Sequence, residues 1–310
     1  MSAQADGARR ARVAFLGPAG TFSEEALLTG AVEGAVEPVA VASIPEAVSA
    51  LREGRVDLAL APIENSLEGS IDVTLDLLAE QEGAVRVAAE SVLGVRHCLI
   101  AAREIELAAI ETVISHPQVP GQCTRFLRSE LARASVQAAS STAEAVRSVV
   151  AADDGASAAL GTRLAAEIYG GTVLREGVED REDNQTRFVW LARTGEDPGP
   201  LPLRTGGAGE PRTAIVFWGS GARHSGWLVR CLGEFAARDI NLHKIESRPR
   251  RDLVGDYMFF LELAGDEGEE GVAAALEGLR ALCERVLVLG SYRTAPGRAV
   301  PDGKAGTAAR

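Results

Sequence analysis

The chain has no long apolar run. Its first hydrophobic stretch, Val13 to Leu16, is too short for a signal-peptide core, and no segment approaches the length of a membrane span. Secretion and membrane insertion are therefore not expected, and the reading is cytoplasmic. Basic charge is also scarce, with a formal net charge of −12. That argues against nucleic acid or an anionic membrane as partner, although one pocket can still carry a positive field. The four cysteines, Cys98, Cys123, Cys231 and Cys283, are scattered without a C-x-x-C pair and read as free thiols in a reducing compartment. The four histidines show neither H-x-x-x-H nor H-E-x-x-H spacing, so no metal site is expected. A G-x-G-x-x-G dinucleotide fingerprint is missing as well.

What remains is a 310-residue chain, 46% hydrophobic and 25% charged, large enough for two or three domains with real cores. Strand candidates at Arg12 to Leu16, Val56 to Ala61, Val85 to Val92, Cys98 to Ala101, Thr112 to Ser115, Ala158 to Leu160 and Phe188 to Leu191 are separated by helical stretches. Alternation of this kind implies an α/β fold with a largely parallel, helix-covered sheet. Capping-box spacing marks helix starts at Thr21-Phe22-Ser23-Glu24, Ser43-Ile44-Pro45-Glu46 and Ser141-Thr142-Ala143-Glu144. From Gly195 to Pro211 glycine and proline dominate, which reads as a linker. Beyond it, strands at Thr213 to Trp218, Ile240 to Glu246, Asp256 to Leu263 and Val286 to Tyr292 alternate with helices at Gly226 to Ala237 and Gly271 to Cys283. That order, βαββαβ, is the ferredoxin-like arrangement. The domain plan is 11–194, a linker 195–211, a second domain 212–294 and a tail 295–310 expected to be disordered.

Several polar runs sit where strands end, the usual place for ligand chemistry in open α/β sheets. Gly17-Pro18-Ala19-Gly20-Thr21 joins a strand to a helix N-terminus and reads as an anion cradle or as a well-capped turn. Glu64-Asn65-Ser66-Leu67-Glu68-Gly69-Ser70 concentrates carboxylate, amide and hydroxyl groups, for a ligand or for a helix cap. Ser115-His116-Pro117-Gln118 and Gly121-Gln122-Cys123-Thr124 follow a strand; a Cys-His nucleophile is disfavoured, because Cys123 lies among apolar neighbours on a helix. Asp183-Asn184-Gln185-Thr186-Arg187-Phe188 opens an apolar strand.

Taken together, Phe15 to Ser23, Pro62 to Ser70, Ser115 to Gln118 with Gln122-Cys123, Ser141 to Ala145 and Asn184 to Phe188 resemble the prephenate dehydratase family over about Arg12 to Arg193. The C-terminal part resembles an ACT regulatory domain, through Ile240-Asn241-Leu242 and Glu246-Ser247-Arg248-Pro249. The resemblance implies two α/β lobes with a cleft, like periplasmic binding proteins, followed by the ACT domain. It implies decarboxylating dehydration of prephenate to phenylpyruvate, water and CO2 in phenylalanine synthesis. Aromatisation drives that reaction, so no cofactor is expected. The family positions make Thr186, Asn65, Ser115 and Gln122 catalytic, and place Thr21, Glu64, Ser66, Arg187 and Phe188 at the substrate. Arg187 forms a carboxylate fork or an ion pair with Glu64 or another acid, and Phe188 fits strand anchoring better than substrate contact.

The effector, expected to be phenylalanine, is assigned to Gly226, Trp227, Leu228, Asn241, Glu246, Ser247, Arg248 and Pro249, in a homodimer or homotetramer. One departure stands out: Gly226-Trp227-Leu228 replaces the family's Gly-Ala-Leu, so an indole is expected to narrow the effector pocket and weaken phenylalanine sensitivity, the other course being to swing outward and pack elsewhere. Arogenate dehydratase is the close alternative, and a non-catalytic ligand sensor on the same fold a more distant one.

Overall fold

The computed structural model describes residues 9–81, 83–196, 201–204, 209–250 and 255–295. The first lobe contains strands β1 (Ala11–Leu16), β2 (Val36–Val41), β3 (Leu58–Asn65), the short β4 (Gly69–Ser70) and β5 (Val85–Gly94), with helices α1 (Phe22–Gly30), α2 (Ile44–Arg52) and α3 (Asp72–Glu80). The second lobe contains β6 (Cys98–Ala101), β7 (Thr112–Ser115), β8 (Ser135–Ala138), β9 (Ser157–Gly161) and β10 (Thr172–Glu176), with α4 (Val119–Gln122), α5 (Thr124–Glu130), α6 (Thr142–Ala152) and α7 (Arg163–Tyr169). The chain then returns to the first lobe as β11 (Gln185–Arg193). A C-terminal unit follows: β12 (Pro211–Trp218), α8 (Trp227–Ala236), β13 (Leu242–Pro249), β14 (Tyr257–Ala264), α9 (Glu270–Leu282) and β15 (Arg285–Arg293).

All three N-caps form. Thr21, Ser43 and Ser141 each accept the backbone N–H three residues on, at 3.4, 3.2 and 3.0 Å. Each such cap stabilises its helix by about 1 kcal/mol. Where a largely parallel sheet was expected, both lobes have mixed sheets. The first runs β2-β1-β3-β11-β5, with β11 antiparallel to both neighbours; the second runs β10-β6-β9-β7-β8, with β6 antiparallel to β9 and β10. Strand–helix alternation makes consecutive strands parallel, but β11 arrives from the other lobe and enters the sheet from the opposite end.

The inserted strand divides the core. On one face Phe188 and Trp190 join Val13, Phe15, Leu27 and Leu60; on the other, Val189 and Leu191 join Leu51, Leu75 and Leu78. Each fully buried aromatic ring contributes about 2–3 kcal/mol of apolar burial. The second face runs on into Val216, Phe260 and Tyr292, so the C-terminal unit shares a core with the first lobe. Its sheet, β13-β14-β12-β15, is antiparallel and packs its other face under α8 and α9. Gly290, at φ 142°, permits this docking: a Cβ there would collide with the backbone oxygen of Val87 on β5.

The segment read as a linker is strapped down where it is described. Leu201 and Leu203 pack on the Phe15 side of the core, Leu203 bridges to Ala31, and Arg204 Nε donates to Ala31 O at 2.7 Å. The expected disordered tail falls almost wholly on 296–310, outside the described residues. Before it, Thr294 is buried and Ala295 N donates to Glu90 Oε1 at 2.9 Å.

Candidate active site between the lobes

A cavity of about 730 Å³ lies between the lobes. The C-terminal end of β1 and the start of α1 form one wall, β3 and β11 the floor, and the starts of α4 and α6 the far wall. Of the residues assigned from sequence, Thr21, Asn65, Gln122 and Thr186 line it. Asn65 and Thr186 face each other because β3 and β11 pair with these two residues in register.

Asn65 is fully used. Its Nδ2 donates to Thr186 Oγ1 at 2.9 Å, Asn184 Oδ1 at 3.0 Å and Gln185 O at 3.2 Å. Its Oδ1 accepts from Leu67 N at 2.9 Å and Glu68 N at 3.1 Å. The amide orientation is therefore fixed, and Thr186 Oγ1 is an acceptor in this bond. That leaves the threonine hydrogen for an acceptor in the cavity, and a hydroxyl that is already accepting is a stronger donor.

Across the cleft, Gln122 Oε1 meets His97 Nε2 at 3.1 Å and accepts from Asn184 Nδ2 at 3.2 Å. Gln122 Nε2 donates to Glu68 Oε1 at 3.0 Å, and Gln118 Nε2 donates to Glu68 Oε2 at 2.8 Å. Glu68 thus bridges from the first lobe to the second. Two further bonds close the lobes: Thr162 Oγ1 to Gly20 O at 2.6 Å, and Tyr169 OH to Ala19 O at 2.8 Å. Gly20 is needed here for packing: at φ 84°, a Cβ would lie 2.8 Å from Ala165 Cα of α7.

His97 was not singled out from sequence, because it was tested only for metal spacing. It is buried, lines the cavity and packs edge-on against Phe22 at 5.3 Å between ring centroids. Since Gln122 Oε1 can only accept, His97 Nε2 carries the hydrogen. Nδ1 is then buried without a partner among the described residues. Burial holds this imidazole below its ordinary value of 6.5, against the opposing effects of Gln122 and Glu179. Glu68, His116 and Asn184 stood in the sequence motifs without a role and also line the cavity.

Other assigned residues lie elsewhere. Ser115 is buried and donates to Leu160 O at 2.8 Å, tying β7 to β9. Ser66 accepts from Gln185 N at 3.0 Å at the edge of the β3–β11 pair. The assignment of Arg187, Glu64 and Phe188 to the substrate needs correction. Side chains alternate along a strand, so Arg187 and Glu64 point away from the face that carries Thr186 and Asn65. Arg187 donates to Glu64 Oε2 at 2.8 Å, Glu262 Oε1 at 2.5 Å and Glu90 Oε2 at 3.3 Å, and Glu262 also takes Arg212 at 3.2 Å. Phe188 is buried in the core, as strand anchoring requires. A Cys123 nucleophile is excluded, since the thiol is buried and desolvation pushes it up to about 12.

The profile of the prephenate dehydratase family matches residues 13–196. The chain belongs to the prephenate dehydratase family. A relative named prephenate dehydratase from Amycolatopsis methanolica is 40% identical, over 92% of this chain and 90% of its own. Among solved structures, prephenate dehydratase from Arthrobacter aurescens in complex with L-Phe is 33% identical with a TM-score of 0.78, covering 91% of this chain and 90% of its own. A structure described as GqqA, a novel type of quorum quenching acylase, is 25% identical with a TM-score of 0.81, covering 93% and 100%. The family's reaction, prephenate to phenylpyruvate with loss of water and CO2, is the activity of this hydro-lyase.

The residues assigned to the effector lie in the C-terminal unit. Gly226, at φ 79°, caps α8, and Leu228 packs on its core. Asn241 is exposed and its O accepts from Ala264 N at 2.9 Å, while Ser247 and Pro249 are exposed on β13. Trp227 does not swing outward. It is buried against Phe217 and Phe259, and Nε1 donates to Leu282 O at 2.8 Å. Glu246 and Arg248 engage the first lobe. Glu246 accepts from Ser70 Oγ and pairs with Lys244 at 3.2 Å, while Arg248 pairs with Asp76 at 3.0 Å and Asp72 at 2.5 Å.

Proposed function

We propose that the Asn65–Thr186 pair at the floor of the cleft drives departure of the ring hydroxyl from prephenate. The C–C bond to the ring carboxylate breaks, its electron pair enters the ring, and the opposite C–O bond breaks. Thr186 donates its free hydrogen to the departing oxygen as negative charge develops there, and Asn65 strengthens that donor. A threonine hydroxyl is too weak an acid to supply the proton alone, so it stabilises the departing oxygen as a hydrogen-bond donor, and the proton that completes water comes from solvent. Gln122, held by His97 and Asn184, forms the facing wall, and Ser115 holds β7 in place. The starts of α1 and α6 offer N–H groups to the two substrate carboxylates from opposite lobes. Apolar walls from Leu16, Val41, Phe22 and Ile71 favour loss of the charged carboxylate.

The observation that carries this reading is the 2.9 Å bond into Thr186 Oγ1. The test is a phenylpyruvate assay of Thr186→Ala and Thr186→Ser. We expect kcat to fall by about 10²–10³ in the alanine variant with a smaller change in KM, and serine to retain more activity. A near-normal kcat without the hydroxyl overturns the role. A parallel assay with arogenate, which differs by one keto or ammonium contact, measures how far the site discriminates against it. The acylase chemistry named for GqqA has no support here: among the described residues, no hydroxyl–imidazole hydrogen bond in the cavity activates a nucleophile.

For regulation, the reading is that phenylalanine binds the C-terminal unit, acting as an ACT domain in a cytoplasmic homodimer or homotetramer. The L-Phe complex of the Arthrobacter relative supports it, and the contacts of Glu246 and Arg248 with β4 and α3 give the C-terminal unit a physical link to the first lobe. A phenylalanine titration of the rate, with sedimentation at each concentration, tests it. No response across the titration overturns it.

A further inference from the structure

We propose that Cys231 and Cys283 form a reversible intramolecular disulfide that joins α8 to the end of α9. Their sulfurs lie 3.7 Å apart although the residues are 52 positions apart in sequence. Cys231 is on the buried face of α8, and Cys283 is the half-buried residue that ends α9. The same two segments are tied one turn earlier by Trp227 Nε1 and Leu282 O at 2.8 Å, so the approach of the sulfurs is held by packing. Closing to a bond of about 2.05 Å asks the two sulfurs to approach within segments that already hold them near each other.

Proximity sets this pair apart from the other two cysteines. The hydrogen bond from Cys283 holds the Cys231 thiol below its ordinary value, while that same bond and burial push the Cys283 thiol up, so Cys231 is the first of the two to lose its proton. Cys98 and Cys123 stand apart in the second lobe, and desolvation pushes both thiols up.

The oxidant is a small disulfide. One cysteine of the pair loses its proton and attacks the disulfide, forming a mixed disulfide. The small thiolate that leaves keeps the electron pair of the broken S–S bond and takes up a proton. The second cysteine, deprotonated in turn, attacks the protein sulfur of the mixed disulfide and expels a second small thiol. Two protein thiols are oxidised and one small disulfide is reduced to two thiols. The bond would clamp α8, whose first turn carries Gly226, Trp227 and Leu228; any damping of a phenylalanine response rests on the effector reading above.

The experiment treats the full chain with oxidised glutathione and reads the covalent product. The expected result is a fall from four free thiols to two after denaturation, with Cys231 and Cys283 linked in one peptide pair. Intact mass should fall by about 2 Da, and dithiothreitol should reverse both changes. Cys283→Ser, at a half-buried site, should fold and keep its remaining thiols. Four surviving thiols, a stable glutathione adduct or a link between two chains overturns the proposal. An unchanged phenylalanine response in fully cross-linked protein overturns only the clamp on regulation.

Discussion

Replacing Asn65 by aspartate keeps the side-chain shape and reverses the direction of one hydrogen bond. Oδ1 still accepts from the Leu67 and Glu68 N–H groups, so the turn after β3 keeps its anchor. The other oxygen takes the place of Nδ2 and meets Asn184 Oδ1, Gln185 O and Thr186 Oγ1, all acceptors in the native protein. Thr186 is the one partner of the three with a hydrogen to give. It turns that hydrogen into the carboxylate, and the departing oxygen loses its donor. The cost is that of removing one oxyanion donor, about 3–4 kcal/mol or 10²–10³ in kcat. Because both changes act through one hydroxyl, the N65D/T186A double variant should be little slower than T186A. The N65D enzyme should also regain part of its rate as pH falls, since a protonated carboxyl donates again. The assay is phenylpyruvate formation under saturating prephenate, with thermal unfolding to confirm an intact fold. A fully active N65D, or losses that add in the double variant, would refute this account of Thr186.

His97 makes stability pH-dependent. Its folded-state value is lowered by burial, so the unfolded chain binds the proton more readily; the stability is fully present above about 6.5 and is lost as pH falls below it. Urea midpoints at a series of pH values should show this for the native chain, and His97→Phe should flatten the acid limb. Arg187→Ala leaves Glu64, Glu90 and Glu262 without their shared cation and should cost about 3–5 kcal/mol in urea unfolding. A loss confined to KM would instead restore Arg187 to the substrate. Trp227→Ala should destabilise the C-terminal unit by about 3–5 kcal/mol. Calorimetry showing tighter phenylalanine binding at unchanged stability would place the indole in the effector pocket after all.

Much of this was legible in the residues. The capping boxes placed α1, α2 and α6, and the C-terminal strand–helix order held element by element. Thr186, Asn65 and Gln122, set on three separate motifs, do meet. Besides the two-residue β4, the missed strands lie at sheet edges: β2 carries Pro38, β8 is exposed along its length, and β10 has only five residues. Strand order was not legible, because local pattern carries no information on which distant strand enters a sheet. Two signals were present and unused. The two-residue alternation of β11 already turns Arg187 away from Thr186. Trp227 also shares a helical face with Cys231 and Phe235, four and eight residues on, which marks an inward indole.

The insertion of β11 governs the order in which this enzyme is assembled. The first lobe's sheet needs a strand that leaves the ribosome only after the whole second lobe has been made. Until then β3 and β5 lack their common neighbour, and Asn65 has no Thr186 to hold. The second lobe needs no such wait, because its entry and exit are laced together by Val95 N to Asn184 O at 2.8 Å and Val178 N to His97 O at 3.1 Å. It can therefore form as a closed excursion and deliver β11 already positioned at the gap. Synthesis thus supplies the last strand of the catalytic floor after the residues of both walls, and a chain stopped before Gln185 lacks Thr186 and has no complete active site.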